Sequence, residues 1–223
     1  MDFALARHNM IENQLRTNRI DEPRLVAALS AVPREIFLPK KLRGVAYVDE
    51  DIDLGGGRRL IEPLALAKLL KASAPAADEV ALVVGCDTGY CAAVLARMVA
   101  TVFHLADDGD AAGGEGANGG AVEQLMEEIG CDNVVVQSGR AAEGLPSQAP
   151  FGLIVIAGGV QSVPETLASQ LEEGGRLACV VTSGRAGKVT VRRRIGEWSG
   201  DITPFDAWIP GLASLRPTPD FSL

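Results

Sequence analysis

The sequence predicts an α/β fold: a mostly parallel sheet covered by helices on both faces, with an N-terminal helical segment in front of it. Three observations lead there. From residue 79 onward, short apolar runs alternate with amphipathic stretches, the pattern of strands buried on both sides and joined by crossover helices. Residues 81–93, ALVVGCDTGYCAA, join one such run to a helix start through a glycine turn. Residues 1–70 show helical spacing interrupted by proline and glycine. The order β-α-β-α-β excludes a helical bundle and a β-sandwich, and no internal repeat is present.

Taken in order, residues 4–17 and 22–32 read as helices. Leu25, Val26, Leu29 and Val32 recur at helical spacing, and Asp21-Glu22-Pro23 supplies the start signal. Pro33 ends the second helix. A polar, extended stretch is predicted through Tyr47 to Gly55-Gly56-Gly57, after which Pro63 opens the helix LALAKLLKAS. The strand EVALVVG precedes the helix CAAVLARMVA. The strand TVFHLA precedes the helix AVEQLMEEIG, with Gly130 placed to end it. NVVVQSG and GLIVIAG read as further strands, and VPETLASQLEEGG as a helix closed by glycine. RLACVVTSG and KVTVRRRI complete the strands. Residues 107–120, DDGDAAGGEGANGG, are expected to form a loop, and GLASLRPTPDFSL an irregular end.

A chain of 223 residues is expected to form a single domain, with residues 1–70 as its helical and extended front and 79–212 as its core. A net charge of −8 repels phosphate backbones and anionic bilayers, so neither nucleic acid nor membrane is an expected partner. Arg192-Arg193-Arg194 follows Val189 and Val191 and is expected at the exposed end of a strand. Cys86, Cys91, Cys131 and Cys179 show no C-x-x-C pair, and His8 and His104 are the only histidines, so no metal site is expected. Packed, reduced thiols, a charged N-terminus and no long apolar run give the expectation of a cytoplasmic protein.

The residues assembled so far resemble the protein-L-isoaspartate O-methyltransferase family over roughly residues 10–212. The likeness runs through Met10, Gln14 and Leu15, then Val32-Pro33-Arg34 with Phe37 and Pro39, then Ala46-Tyr47 and Asp49. It continues through the glycine-rich approach to Pro63, the run GYCAAVLA, the segment APFGLIVIAGGVQSVPETLASQLEEGG, and Trp208-Ile209-Pro210. Each motif alone is weak; their order and spacing together are specific. The resemblance implies a Rossmann-like methyltransferase fold and S-adenosylmethionine as cofactor. It implies methyl transfer to a carboxylate of isoaspartyl residues in a protein or peptide substrate. Carried over position by position, it implies cofactor contacts at Gly85, Cys86, Asp87, Gly89, Asp107 and Gly139. No catalytic residue is assigned.

This chain departs from the family pattern at four places. In the glycine motif the central glycine is Asp87 and the preceding acidic position is Val83. Asp87 either sets a second anion beside the cofactor's carboxylate, or it or Thr88 caps the following helix. The family's glutamate at the end of the second core strand is Ala106, and Asp107 either replaces it or begins the solvated loop. The aspartate expected after Gly139 is Arg140, which has donors only and either stacks on a ring or faces water. The family's T-I-S-Q-P is Arg59-Leu60-Ile61-Glu62-Pro63, which removes a hydroxyl near the reacting carboxylate and adds a charge that either sits beside it or faces water. Methyl transfer from a sulfonium depends chiefly on alignment, so an active enzyme is compatible with that loss. The alternative is a catalytically silent family member acting as a binding or regulatory module. A dinucleotide oxidoreductase needs G-x-G-x-x-G, which Gly85-Cys86-Asp87-Thr88-Gly89-Tyr90 does not supply.

Overall fold

The computed structural model describes residues 1–107, 119–196 and 198–215. Helix α1, Phe3–Met10, begins where the Asp2 carboxylate accepts the Leu5 N–H at 3.0 Å. It runs on into a π-type turn at Ile11–Leu15 and a 3-10 turn at Arg16–Asn18. Helix α2, Pro23–Ala31, has proline in its first turn, where a missing N–H costs nothing. Its Leu25 and Leu29 are buried. Two 3-10 turns follow, Arg34–Phe37 and Lys40–Val45, where the sequence predicted extended chain. The correction has a tertiary cause: Arg34, Phe37 and Leu38 are buried, and compact turns place them inward in a segment with no strand to pair with.

The glycine trio forms the tip of a hairpin between β1, Ile52–Gly55, and β2, Arg58–Leu60. Helix α3 spans Pro63–Ser73 and buries Leu66, Leu69 and Leu70. The main sheet has seven strands: β3 Val80–Val84, β4 Thr101–Asp107, β5 Val134–Gly139, β6 Phe151–Val160, β7 Leu171–Ser183, β8 Ala186–Ile195 and β9 Trp198–Asp206. Their order is β5-β4-β3-β6-β7-β8-β9. Strands β5 to β7 are parallel, and β8 and β9 add antiparallel. The winding reverses between β3 and β6. In open α/β sheets, that switch point opens a crevice at the carboxyl ends of the strands.

Helices α4, Tyr90–Ala96, and α5, Gly119–Glu128, pack on one face together with α2 and α3. The other face carries Phe151, Ile154 and Leu177 under Leu145, Val163 and Leu167, the last from the short helix α6, Glu165–Ala168. A bidentate ion pair ties β7 to the amino end of β3, at the opposite end of the sheet from the crevice. Arg176 on β7 pairs with Glu79 just before β3 and donates to the carbonyls of Ser73 and Ala74 at the end of α3.

The predicted helix over 163–175 is the largest departure from the sequence reading. Only Glu165–Ala168 is helical, because Leu171 already pairs with Phe151. Between Leu171 and Arg176 the register shifts, and Gly175 lies so close to the Phe151 carbonyl that an added Cβ would stand 2.9 Å from it. Sheet pairing outcompetes the helical pattern there. Strand β9 escaped the sequence reading because WSGDITPFD alternates poorly. It is an edge strand, where Pro204 and the exposed Ile202 are tolerated. Of the expected 107–120 loop, Asp107 ends β4 and Gly119 begins α5, while 108–118 lie outside the described residues. The arginine run stands on β8, with Arg192 paired to Glu165 and Asp201. Among the described residues, no helix is long and apolar enough to cross a membrane.

Candidate active site

The turn after β3 lies at the switch point. Gly85 has φ +78° and Gly89 has φ +81°, a backbone region open to glycine at no steric cost. Gly89 also forms the close approach of α4 to α5: a Cβ there would stand 2.7 Å from Met126 Cε and Val122 Cγ1. The first free N–H groups of α4 are met locally. Tyr90 N donates to Thr88 Oγ1 at 3.3 Å, and Cys91 N donates to Cys86 Sγ at 3.2 Å. Thr88 and Cys86 are therefore the side chains that serve the helix start, and Asp87 is not. Burial pushes the Cys86 thiol above its ordinary pKa, so it packs as a neutral group.

Asp87 turns toward the hairpin. Burial raises its pKa first of all; the backbone N–H of Arg59, which its carboxylate accepts, and the nearby Arg58 charge oppose the rise, and Asp107 adds to it. The charge of Arg58 on β2 thus acts against that of the extra carboxylate, with no direct ion pair between the two among the described residues. Asp87 and Asp107 line one pocket with Gly85, Cys86, Ala106 and His104. Of the other expected contacts, Gly89 is enclosed by α5 and Gly139 ends β5 opposite Asp107, with Leu105 behind it. Neither lines the pocket. Asp107 Oδ1 accepts the Ala141 N–H at 3.0 Å, fixing the loop after β5. Ala106 lies beside the start of α5, where a Cβ on Gly119 would make ordinary contact with the Ala106 Cβ at 3.4 Å, and both residues line the pocket. Arg140 is exposed and pairs with Glu143 at 3.6 Å.

On the acceptor side, Ile61 is buried in the core, and its carbonyl accepts Arg34 Nη2 at 2.6 Å. Arg34 is fully buried. It also donates from Nε to Ala46 O at 2.7 Å and lies 4.9 Å from the centroid of the Tyr90 ring. One guanidinium thus ties the chain before the hairpin, the chain after it, and the first residue of α4. Its Nη1 has no hydrogen-bond partner among the described residues. The sequence reading quoted Arg34 only as part of a motif. His104, whose Nδ1 is likewise buried and unpartnered, gave no signal in the sequence beyond its presence in an apolar strand.

Glu62 begins α3. Burial, then Asp49 and Asp51, push its pKa up to about 7, while Asp51 accepts the Glu62 N–H at 2.9 Å. A carboxyl whose folded pKa exceeds its unfolded value holds its proton longer in the folded state, so stability falls as pH rises between the two values. Glu62→Gln removes that loss. The variant should match the parent near pH 4.5 and exceed it by about 1–2 kcal/mol at pH 8, a figure already reduced for the half-exposed position. Melting temperatures of both proteins across pH 4.5–8 check this; parallel curves would show that Glu62 is unperturbed.

The C-terminal segment closes the crevice. Gly159 N donates to Pro210 O at 2.8 Å and Leu212 N to Gly159 O at 2.9 Å, so residues 210–212 run along the end of β6. The Leu212 side chain rests on both Gly85 and Gly158, and a Cβ on either glycine would overlap it. Among the described residues, no group of three or more His, Cys, Asp or Glu is placed to hold a metal ion.

Comparison with known proteins agrees with this architecture. Residues 6–203 match the family model described as protein-L-isoaspartate(D-aspartate) O-methyltransferase. The protein-L-isoaspartate O-methyltransferase of Pelotomaculum thermopropionicum is 34% identical over 188 residues, covering 84% of this chain and 79% of its own. That of Roseiflexus castenholzii is 34% identical over 198 residues, covering 88% and 87%. A solved structure named protein-L-isoaspartate O-methyltransferase superposes with a TM-score of 0.76 at 21% identity, over 94% of this chain and 67% of its own. A Plasmodium falciparum structure, described as the β-aspartate methyltransferase in complex with S-adenosyl-L-homocysteine, gives 0.75 at 16% identity, over 96% and 99%. These two show the shared fold, and nothing in the comparisons favours a silent binding module. A family model spanning most of the chain, and relatives above 30% identity over most of their own length, place this chain in the protein-L-isoaspartate(D-aspartate) O-methyltransferase family.

Proposed function

We propose that this chain binds S-adenosylmethionine at the carboxyl ends of β3 and β4 and transfers its methyl group to the carboxylate of isoaspartyl residues in proteins or peptides. The observation that carries the reading is the strand-turn-helix Val80–Ala96 at the switch point, with its pocket between Gly85–Asp87 and Ala106–Asp107. The site fits the cofactor in two respects. Gly85 makes a positive-φ turn that lines the pocket, and a buried polar atom in the same pocket, His104 Nδ1, has no hydrogen-bond partner among the described residues. When bound, the cofactor supplies a methyl group already activated on a sulfonium.

The chain's own residues bind and orient. Gly85 and Cys86 offer the turn, Arg58 and the Arg59 N–H hold the Asp87 charge aside, and Asp107 fixes the 139–141 loop. Arg34 holds Ile61, and with it the acceptor side, against α4. Because an ionised carboxylate needs no base to accept a methyl group, alignment and exclusion of water are what the site has to provide. We further propose that the whole chain acts as one domain, with 1–70 forming the acceptor side and 79–212 the cofactor side.

Two measurements test this. Isothermal titration with S-adenosylhomocysteine should show binding, and ligand at roughly 100 times its dissociation constant should add about 2.7 kcal/mol to stability. Incubation with methyl-labelled S-adenosylmethionine should label an isoaspartyl peptide and leave its aspartyl isomer unlabelled. Binding without labelling would discard the substrate, and no binding at millimolar ligand would discard the cofactor site. Asp87→Asn should tighten S-adenosylhomocysteine no more than about tenfold, since Arg58 already offsets the charge. A far larger gain would show that Arg58 does not shield it.

A further inference from the structure

We propose that His104 is the side chain through which this protein reads the ribose hydroxyls of its cofactor, in place of an acidic residue at position 106. The inference rests on the cofactor site proposed above. His104 lies on β4, is 2% exposed, and lines the same pocket as Gly85, Asp87, Ala106 and Gly119. Its Nδ1 has no hydrogen-bond partner among the described residues. A buried polar nitrogen without a partner destabilises the fold, and nearly all such groups in folded proteins are satisfied by protein, water or ligand. Leucine at this position in the strand would avoid that cost.

The geometry of β4 selects what the partner is. Side chains alternate along a strand, so positions 104 and 106 share one face and 107 takes the other. On the shared face Ala106 offers no polar atom, and the first residue of α5 stands directly over it. On the opposite face Asp107 Oδ1 is engaged by the Ala141 N–H. His104 is thus the polar side chain on the 104–106 face. It pairs with Val83, two residues before the Gly85 turn, which places it some 6–7 Å below the rim. From that depth the imidazole reaches a group seated on the turn directly or across one water.

The imidazole is the right chemistry for a hydroxyl. Burial lowers its pKa to about 4, so it is neutral and carries one donor and one acceptor nitrogen. A hydroxyl offers the complement of both. An imidazole also adds no third negative charge to a pocket that already contains Asp87 and Asp107.

The test pairs side-chain variants with cofactor analogues that lack a ribose hydroxyl. Titration calorimetry would give dissociation constants of S-adenosylhomocysteine and its 2′-deoxy and 3′-deoxy forms for the parent, His104→Leu and His104→Gln. The parent should lose about tenfold on removal of the recognised hydroxyl. His104→Leu should lose a similar factor with S-adenosylhomocysteine, and then bind the deoxy form no worse. His104→Gln, which keeps a donor and an acceptor, should recover most of the affinity. The melting temperature of His104→Leu should equal or exceed the parent's, since the orphaned nitrogen is gone. The proposal is overturned if His104→Leu binds S-adenosylhomocysteine as the parent does. Equal losses for the parent ligand and both deoxy forms overturn it too, because that pattern belongs to a structural role. No binding by the parent removes the cofactor reading itself; binding without coupling between His104 and a hydroxyl removes only this inference.

Discussion

Arg34→Ala is expected to destabilise the protein by about 3–5 kcal/mol, with a melting temperature lower by roughly 10 °C. The guanidinium is fully buried, and its loss leaves the carbonyls of Ala46 and Ile61 without their donors and a void against the Tyr90 ring. Burial alone pulls the pKa of such a cation below the ordinary arginine value, so its presence is costly and its hydrogen bonds must offset that cost. Arg34→Lys should recover little, because one ammonium cannot span the two carbonyls in the fixed fork geometry that the guanidinium provides. Methyl transfer should fall further than stability explains, since Arg34 ties the chain at Ile61 to the first residue of α4, the helix that follows the glycine turn. Urea unfolding of both variants gives the comparison; a change below 1 kcal/mol for Arg34→Ala would mean that the three segments are held by something else.

Gly85→Ala carries the second large effect, and its two causes are separable. At φ +78° an alanine pays roughly 1–2 kcal/mol in backbone strain. Its Cβ would also enter the space of the Leu212 side chain, an overpacking that costs about 1–3 kcal/mol more. The variant should lose about 3 kcal/mol of stability, and S-adenosylhomocysteine should bind at least tenfold more weakly. Leu212→Ala removes the steric part alone. In the double variant the losses should therefore fall short of additivity by about 1 kcal/mol or more. Strict additivity would show that Leu212 and the glycine turn do not share that space.

How much of this was legible in the chain differs from element to element. The strand-turn-helix Val80–Ala96 was plain, because a buried parallel strand is a continuous apolar run and the glycines mark where the backbone turns positive. The 169–175 stretch was misread, because SQLEEGG has helical composition and only pairing with Phe151 draws Leu171 into the sheet. Strand β9 was missed because an edge strand needs no apolar alternation. Asp87 was legible as an acidic residue in the glycine turn, with its direction left open between the cofactor and the helix start. The partner that answers it, Arg58 with the Arg59 N–H, stands 28 or 29 positions earlier in the chain and meets it only through the hairpin.

The chain by itself determined the α/β class, the glycine turn and the family, since all three are written in local periodicity and in motifs read in order. Only the tertiary structure decided which way each polar group faces. It turned Asp87 toward β2, set α5 beside Ala106, laid Leu212 on Gly85, and left nitrogens of Arg34 and His104 buried with no hydrogen-bond partner among the described residues. The reason is physical: a hydrogen bond or an overlap depends on a few ångströms between segments far apart in sequence, and local pattern carries no such distance.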